Sequence, residues 1–306
     1  MKRAPRSWGP GFIALAAFLW ATDALFRMPA LDHFTPTAIV FIEHLLAVIA
    51  MTPFILYRHR AKTFDLTRSE WISAIWVGLL GSGVATLLFT TSFQTLNPSI
   101  AILLQKIQPI LVIFLAVLFL KETITIEFIF WGALAIASAT ALGFSATSSD
   151  LPASSTSTMG VFYSLGAAFI WAVSTVAGKV LLKRHSAPLA TFWRFVFGLL
   201  GLSVLVLLES SPWLPSLGAT NVFLGLLYIS LIPGLAAMLA YYAGLDRTPA
   251  STVTIIELLF PICAVLLNTL FLGTSLNITQ TLSGALLLIS VTLGTRGNLK
   301  PNPRSH

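Results

Sequence analysis

The sequence predicts an all-α polytopic membrane protein of ten transmembrane helices, arranged as two inverted five-helix repeats. Three observations carry this. Charged residues are only 9 % of the chain and the mean hydropathy is +0.88, whereas soluble domains carry about 25 % charged residues. Apolar runs, each able to cross about 30 Å of hydrocarbon, follow one another with only short polar joints between them. The two halves of the chain also match each other, with the charges at the helix ends exchanged.

The runs fall at about 11–29, 36–57, 70–92, 98–120, 124–145, 160–182, 188–208, 220–243, 250–272 and 276–295. The first follows MKRAPRSW with no small-residue cleavage site, so it reads as a spanning helix and not as a removable leader. The joints carry helix-start chemistry. Thr35 with Pro36, and Ser186 with Pro188, combine a cap with a proline whose fixed φ suits the first turn. Ser69 with Glu70, and Asn97 with Pro98, do similar work. The stretch Ser145–Thr158 is rich in Ser and Thr and reads as a linker. The organisation expected is a first repeat over 1–145, a linker over 146–159, and a second repeat with a short basic tail over 160–306.

Charge sets the orientation. The net charge of +7 does not indicate nucleic acid, because the basic residues sit at the ends of apolar runs and form no patch interleaved with aromatics. With the N-terminus inside, the inner joints collect Lys2, Arg3, Arg6, Arg58, Arg60, Lys62, Arg68, Lys121, Lys183, Arg184, Arg247, Arg296, Lys300 and Arg304, and Lys179 falls at the same edge. The outer joints hold only Arg27, while Lys106 and Arg194 lie within spans. By the positive-inside rule both termini are expected in the cytoplasm, in a bacterial-type inner membrane. The single Cys263 excludes an intrachain disulfide.

The repeat is legible residue by residue. Ala16–Ala21 reads AAFLWA and Ala167–Ala172 reads AAFIWA, an offset of 151 that also matches Gly83 to Gly234. One residue further on, Ser99 meets Ser251, Pro109 meets Pro261 and Gly132 meets Gly284. Five helices per copy is an odd number, so the second copy enters the membrane upside down. Inner Arg58 then corresponds to outer Glu209, and inner Lys121 to outer Gly273. Inverted repeats that share an interface at the midplane are a common architecture of secondary transporters.

Pro109 followed by Leu118, Phe119, Leu120, Lys121 and Glu122 at the end of the fourth run resembles the EamA-type members of the drug/metabolite transporter superfamily. The resemblance covers about residues 10–295. In the second copy Pro261 and Leu270–Leu272 match, but Thr274 stands where a glutamate is usual. That glutamate reads as a structural helix-end residue. The resemblance implies export or exchange of small metabolites, often amino acids, through a central cavity lined mainly by helices 1, 3, 4, 6, 8 and 9.

Ionisable groups inside the spans are the candidate site. A lysine in hydrocarbon is expensive, about 2.5–3.5 kcal/mol on insertion scales, so Lys106 calls for a wet cavity or a buried partner. At about 1.5 Å per residue, Glu43 and Lys106 reach similar depths in the outer half, and Arg194 and Glu257 match them in the inner half. Repeat symmetry relates Glu43 to Arg194 and Gln105 to Glu257. One reading gives Lys106, Gln105, Gln108 and Glu257 to a substrate, together with Trp20, Trp171 and Tyr241 as aromatic walls. In it Asp23, Glu43 and Arg194 serve gating or proton coupling. The other reading pairs Glu43 with Lys106 and Arg194 with Glu257 as helix-locking ion pairs. Asp23 and Arg27, spaced i, i+4, are expected to neutralise each other, and His44 is expected to be packed or hydrogen-bonded. Pro109, Pro261 and Pro233 are expected to kink their helices. Gly81, Gly83 and Gly234 are expected to admit neighbouring helices. Trp8, Trp71 and Trp213 read as interfacial belt residues.

No P-loop, HExxH motif, paired cysteines or Ser/His/Asp constellation is present in the sequence, so neither cofactor nor metal is expected and the chain does not read as an enzyme. The expected partners are a small-molecule substrate and the lipid bilayer, with a homodimer left open. The expected function is alternating-access export or exchange of an amino-acid-like or amphiphilic metabolite, with proton coupling as an option. Efflux of a drug-like cation is the alternative within transport. An intramembrane enzyme or a non-transporting scaffold is the alternative of another class.

Overall fold

Ten helices long and apolar enough to cross a membrane make up the bundle in the computed structural model, which describes residues 6–59, 63–96, 98–147, 157–209, 220–272 and 277–299. They are α1 Gly9–Leu31, α2 Pro36–His59, α3 Arg68–Ser92, α4 Ile100–Leu120, α5 Ile126–Phe144, α6 Thr158–Leu181, α7 Ala187–Leu208, α8 Val222–Arg247, α9 Ala250–Leu267 and α10 Ile278–Arg296. Such runs are helical because backbone polar groups in lipid have only one another to bond. Large apolar side chains such as Phe114, Phe119 and Leu207 stay exposed on the outer faces, as a lipid-facing surface requires. The linker expected over 146–159 falls mostly outside the described residues, as does Trp213.

Packing follows the pseudo-symmetry of two inverted five-helix repeats. Helix α1 packs on α8, and its counterpart α6 packs on α3; α2 packs on α7, and α5 on α10. Exchanging the halves maps each pair onto itself or onto the other. Two pairs of irregular turns obey the same rule, whereas a π segment at Ala116–Leu120 in α4 has no counterpart in Phe260–Leu272, which is α-helical. A π-helical segment occupies Trp76–Val84 in α3 and Ser230–Ala236 in α8. A 3₁₀ turn occupies Gln105–Ile107 in α4 and Glu257–Leu259 in α9, at the offset that relates Pro109 to Pro261. Each proline lacks the N–H that would serve the carbonyl four residues earlier. The 3₁₀ turn supplies the substitute: Gln108 N–H donates to the Gln105 carbonyl and Phe260 N–H to that of Glu257.

The three glycines do not act alike. A Cβ at Gly81 would stand 1.9 Å from Ser174 Oγ on α6, and one at Gly83 would stand 3.5 Å from Gly198 Cα on α7. Gly234 instead faces its own helix, where a Cβ would lie 2.8 Å from the Ile229 carbonyl oxygen across the widened π turn. Trp71 also departs from expectation. It packs edge-on against Trp193 and Phe197 of α7, at centroid separations of 4.8 and 6.0 Å, because depth along a helix does not say which face meets lipid.

At the end of the bundle that carries Arg68, Arg184 and Arg247, two acids of the first repeat hold the second. Glu70 completes a capping box with Thr67 and also bonds Arg184 at 3.1 Å and His185 at 3.4 Å. Lys121 ends α4 in the left-handed region, φ 57°, and the chain turns so that Glu122 reaches across to α9. Its carboxylate accepts from Ala250 N–H at 2.7 Å, Ser251 N–H at 3.0 Å and Ser251 Oγ at 2.6 Å. The glutamate is therefore a helix-end residue, but the helix it closes is α9 of the other repeat. Free N–H groups and the positive end of the helix dipole make that terminus a carboxylate site. Glu122→Ala should lower the thermal midpoint in detergent by an amount equivalent to about 0.5–2 kcal/mol, the range for a lost cap. An unchanged midpoint would remove the cap from the account.

Candidate functional site

A cavity of about 230 Å³ opens between the repeats. Its wall draws on α1, α3, α4, α6, α8 and α9, and additionally on α2 through Glu43 and His44 and on α7 through Arg194 and Phe195. The first six are the helices from which the lining was mainly expected. Lys106, Gln105, Gln108, Glu257, Trp20, Trp171, Tyr241, Asp23, Glu43, Arg194, Pro109 and Pro233 all lie on this wall, and Pro261 does not. Asp23, Glu43 and Glu257 face Arg27, Lys106 and Arg194 on the same wall, so its formal charges cancel.

The first polar group is a closed network. Arg27 lies only 4 % exposed; it is not the outer-joint residue that its position indicated. Its guanidinium grips Asp23, Nε at 2.5 Å and Nη2 at 2.8 Å, and reaches Glu43 on α2 at 2.8 and 3.0 Å and Thr90 Oγ1 on α3 at 3.1 Å. Three helices are thereby joined around one cation. This overturns the pairing of Glu43 with Lys106: Arg27, one turn from Asp23, has both the reach and the planar fork to take two carboxylates. Nor does Arg194 pair with Glu257. Its Nη2 donates to the Gly81 carbonyl at 2.9 Å, and Trp171 Nε1 donates to the same oxygen at 2.9 Å. The π segment explains why that oxygen is available, because Ala85 N–H goes to the Leu80 carbonyl and not to that of Gly81. His44 is packed between Val40 O at 2.7 Å and Ser82 Oγ at 2.8 Å.

The second polar group is open. Lys106 stands over the Phe260 ring at 5.4 Å and within electrostatic reach of Glu257. Gln108 Nε2 donates to Glu257 Oε2 at 3.4 Å. Gln105 Nε2, Ser174 Oγ, Arg194 Nε, Thr254 Oγ1 and Glu257 Oε1 make no hydrogen bond among the described residues. Native interiors leave few such groups, and each costs about 1–3 kcal/mol. Five of the nine such atoms among the described residues gather on this wall.

Aromatic rings complete the enclosure. Trp20 lies against Tyr241 at 5.4 Å, and Tyr241 OH is 2.8 Å from Thr175 Oγ1. Trp171 meets Phe89 at 5.4 Å, and Phe89 meets Phe93 at 4.5 Å. Sequence reasoning missed Phe89, Phe93, Phe195 and Phe260, which nothing distinguishes from lipid-facing rings in an apolar run. Ser174 and Thr175 carried a usable signal, lying three and four residues after Trp171 on one helical face.

The EamA-like transporter family profile matches the chain twice, over residues 7–144 and 158–296. The riboflavin transporter ImpX of Fusobacterium nucleatum is 32 % identical over 92 % of this chain and 96 % of its own length. An uncharacterized transporter of Archaeoglobus fulgidus is 25 % identical over 94 % and 97 %. The uncharacterized inner membrane transporter YhbE of Escherichia coli is 27 % identical over 58 % and 55 %. A solved crystal structure superposes with a TM-score of 0.77 over 97 % of this chain and 100 % of that one, at 17 % identity, which shows a shared fold.

Removing the central cation tests the closed network. Arg27→Met leaves Asp23 and Glu43 as two unpaired buried acids and should destabilise by about 3–5 kcal/mol. Adding Glu43→Gln should recover part of the loss. A thermal midpoint in detergent unaffected by Arg27→Met would show that the network does not hold the helices.

Proposed function

Because the chain belongs to the EamA-like transporter family, we propose that it is a secondary transporter that exports or exchanges a small, planar, amphiphilic metabolite by alternating access, with flavins of the riboflavin type as the substrate class. The observation that carries this is the cavity's division into an aromatic side, Trp20 with Tyr241, and a hydrogen-bonding side, Gln105, Lys106, Gln108 and Glu257. A ring system stacks on the first while its polar edge meets the second. The name of the 32 % identical relative supports the same class. The cancelling wall charges favour a ligand without net charge and disfavour a drug-like cation, which would face Lys106 and Arg194.

In this reading Asp23 and Glu43 position α1, α2 and α3 through Arg27. The breaks at Gln105–Ile107 and Glu257–Leu259 are the points about which α4 and α9 flex. Opening toward the end that carries Glu122, which the distribution of basic residues assigns to the cytoplasm, requires α9 to leave that carboxylate. An amino-acid-like zwitterion is the second reading, favoured by the opposite charges of Lys106 and Glu257.

Proteoliposomes preloaded with unlabelled riboflavin should accumulate labelled riboflavin by counterflow. Trp20→Ala should weaken flavin affinity roughly tenfold, since an aromatic contact contributes about 0.5–1.5 kcal/mol and 1.4 kcal/mol is tenfold. Counterflow of an aromatic amino acid without any of riboflavin would replace the flavin reading with the zwitterion one.

A further inference from the structure

The open polar group sits where the two repeats face each other, on turns of unusual shape. In a 3₁₀ turn, side chains three residues apart lie in line, so the turn at Gln105–Ile107 brings Gln105 and Gln108 onto one face of α4, and both line the cavity. Glu257 begins the matching turn in α9. Gln105 and Glu257 are repeat-mates, so the pseudo-twofold relation pairs an amide on α4 with a carboxylate on α9. Lys106 adds a cation on one side only, because its repeat-mate is Leu258.

The hydrogen-bonding capacity of this cluster is specific. Gln108 engages one Glu257 oxygen, Oε2, at 3.4 Å, which orients the carboxylate, and the Tyr241 hydroxyl is its neighbour, while Oε1 itself makes no hydrogen bond among the described residues. Gln105 Nε2, a donor, is likewise unpartnered. The Lys106 ammonium is a second donor, and it meets the Phe260 ring face at 5.4 Å, a contact that leaves its N–H bonds for an oxygen acceptor. The wall therefore offers two donors and, with them, one oriented acceptor.

The complementary ligand edge is an imide, an N–H flanked by two carbonyls. We propose that Glu257 accepts the imide N–H of the substrate while Gln105 and Lys106 donate to its two carbonyl oxygens, which makes these three the specificity-determining residues. This deepens the flavin reading and rests on it, since the pyrimidine ring of a flavin carries such an edge. A zwitterion would use Lys106 and Glu257 but would leave Gln105 unmatched. Specificity follows from the cost of leaving these groups unpaired: a ligand of the same shape without the N–H strands Glu257 Oε1 in the closed cavity.

The test uses the full-length chain in nanodiscs, with riboflavin and N3-methylriboflavin as probes; the second differs only in carrying a methyl group on the imide nitrogen. The parent should bind the methylated flavin about 10–100-fold more weakly, the effect of losing one hydrogen bond to a charged group. Glu257→Ala should bring the two affinities together, and the isosteric Glu257→Gln should narrow their ratio should the alanine variant fail to fold. Gln105→Leu should weaken both flavins and keep the ratio. Equal binding of the two flavins by the parent, or a ratio that neither Glu257 variant alters, overturns the imide assignment and leaves flavin transport standing. Binding of neither flavin overturns both.

Discussion

A polar group inside a lipid-embedded bundle has no water to fall back on, and this constraint organises the structure. The backbone obeys it first. Where Pro109 and Pro261 withhold an N–H, the chain tightens into 3₁₀ turns that serve the orphaned carbonyls of Gln105 and Glu257. Where α3 widens into a π segment, the Gly81 carbonyl is taken by Trp171 and Arg194 from the other repeat. Where α9 begins, its free N–H groups are taken by Glu122. The last two are joints through which one repeat grips the other.

Many side chains follow the same logic. Arg27 is buried and resolved on both sides by carboxylates. Its repeat-mate is Gly178, where the Tyr242 hydroxyl comes within 3.1 Å of a built Cβ, so the volume used for a cation network in one half holds an aromatic ring in the other. Other buried polar atoms stay unmatched among the described residues, and five of these nine, Gln105 Nε2 and Glu257 Oε1 among them, lie on the cavity wall. The frame is symmetric and its chemistry is not. Lys106, whose repeat-mate is Leu258, is the plainest departure.

The number of helices, the two inverted repeats and the presence of an internal polar site were legible in the sequence, because each depends on properties that are one-dimensional. Run length sets spanning, the Lys and Arg count separates the two ends, and the shared offset of Pro109 with Pro261 declares the repeat. Even the cavity residues Lys106, Gln108 and Glu257 followed from the expense of placing polar groups in hydrocarbon. Pairing did not follow. Arg27 looked peripheral because depth along α1 is readable and rotation about its axis is not. Trp71 looked interfacial for the same reason.

What the sequence by itself determined is therefore the inventory: ten spans, their doubling, and which polar groups must be hidden from lipid. Only the tertiary structure decided how that inventory is spent among partners. It gave Glu43 to Arg27, Arg194 to the Gly81 carbonyl, and Glu122 to the start of α9, and it left Glu257 Oε1 and Gln105 Nε2 unmatched. Burial demands a partner for each polar group, but which partner depends on helix rotation and crossing, and those are set by packing across the whole bundle.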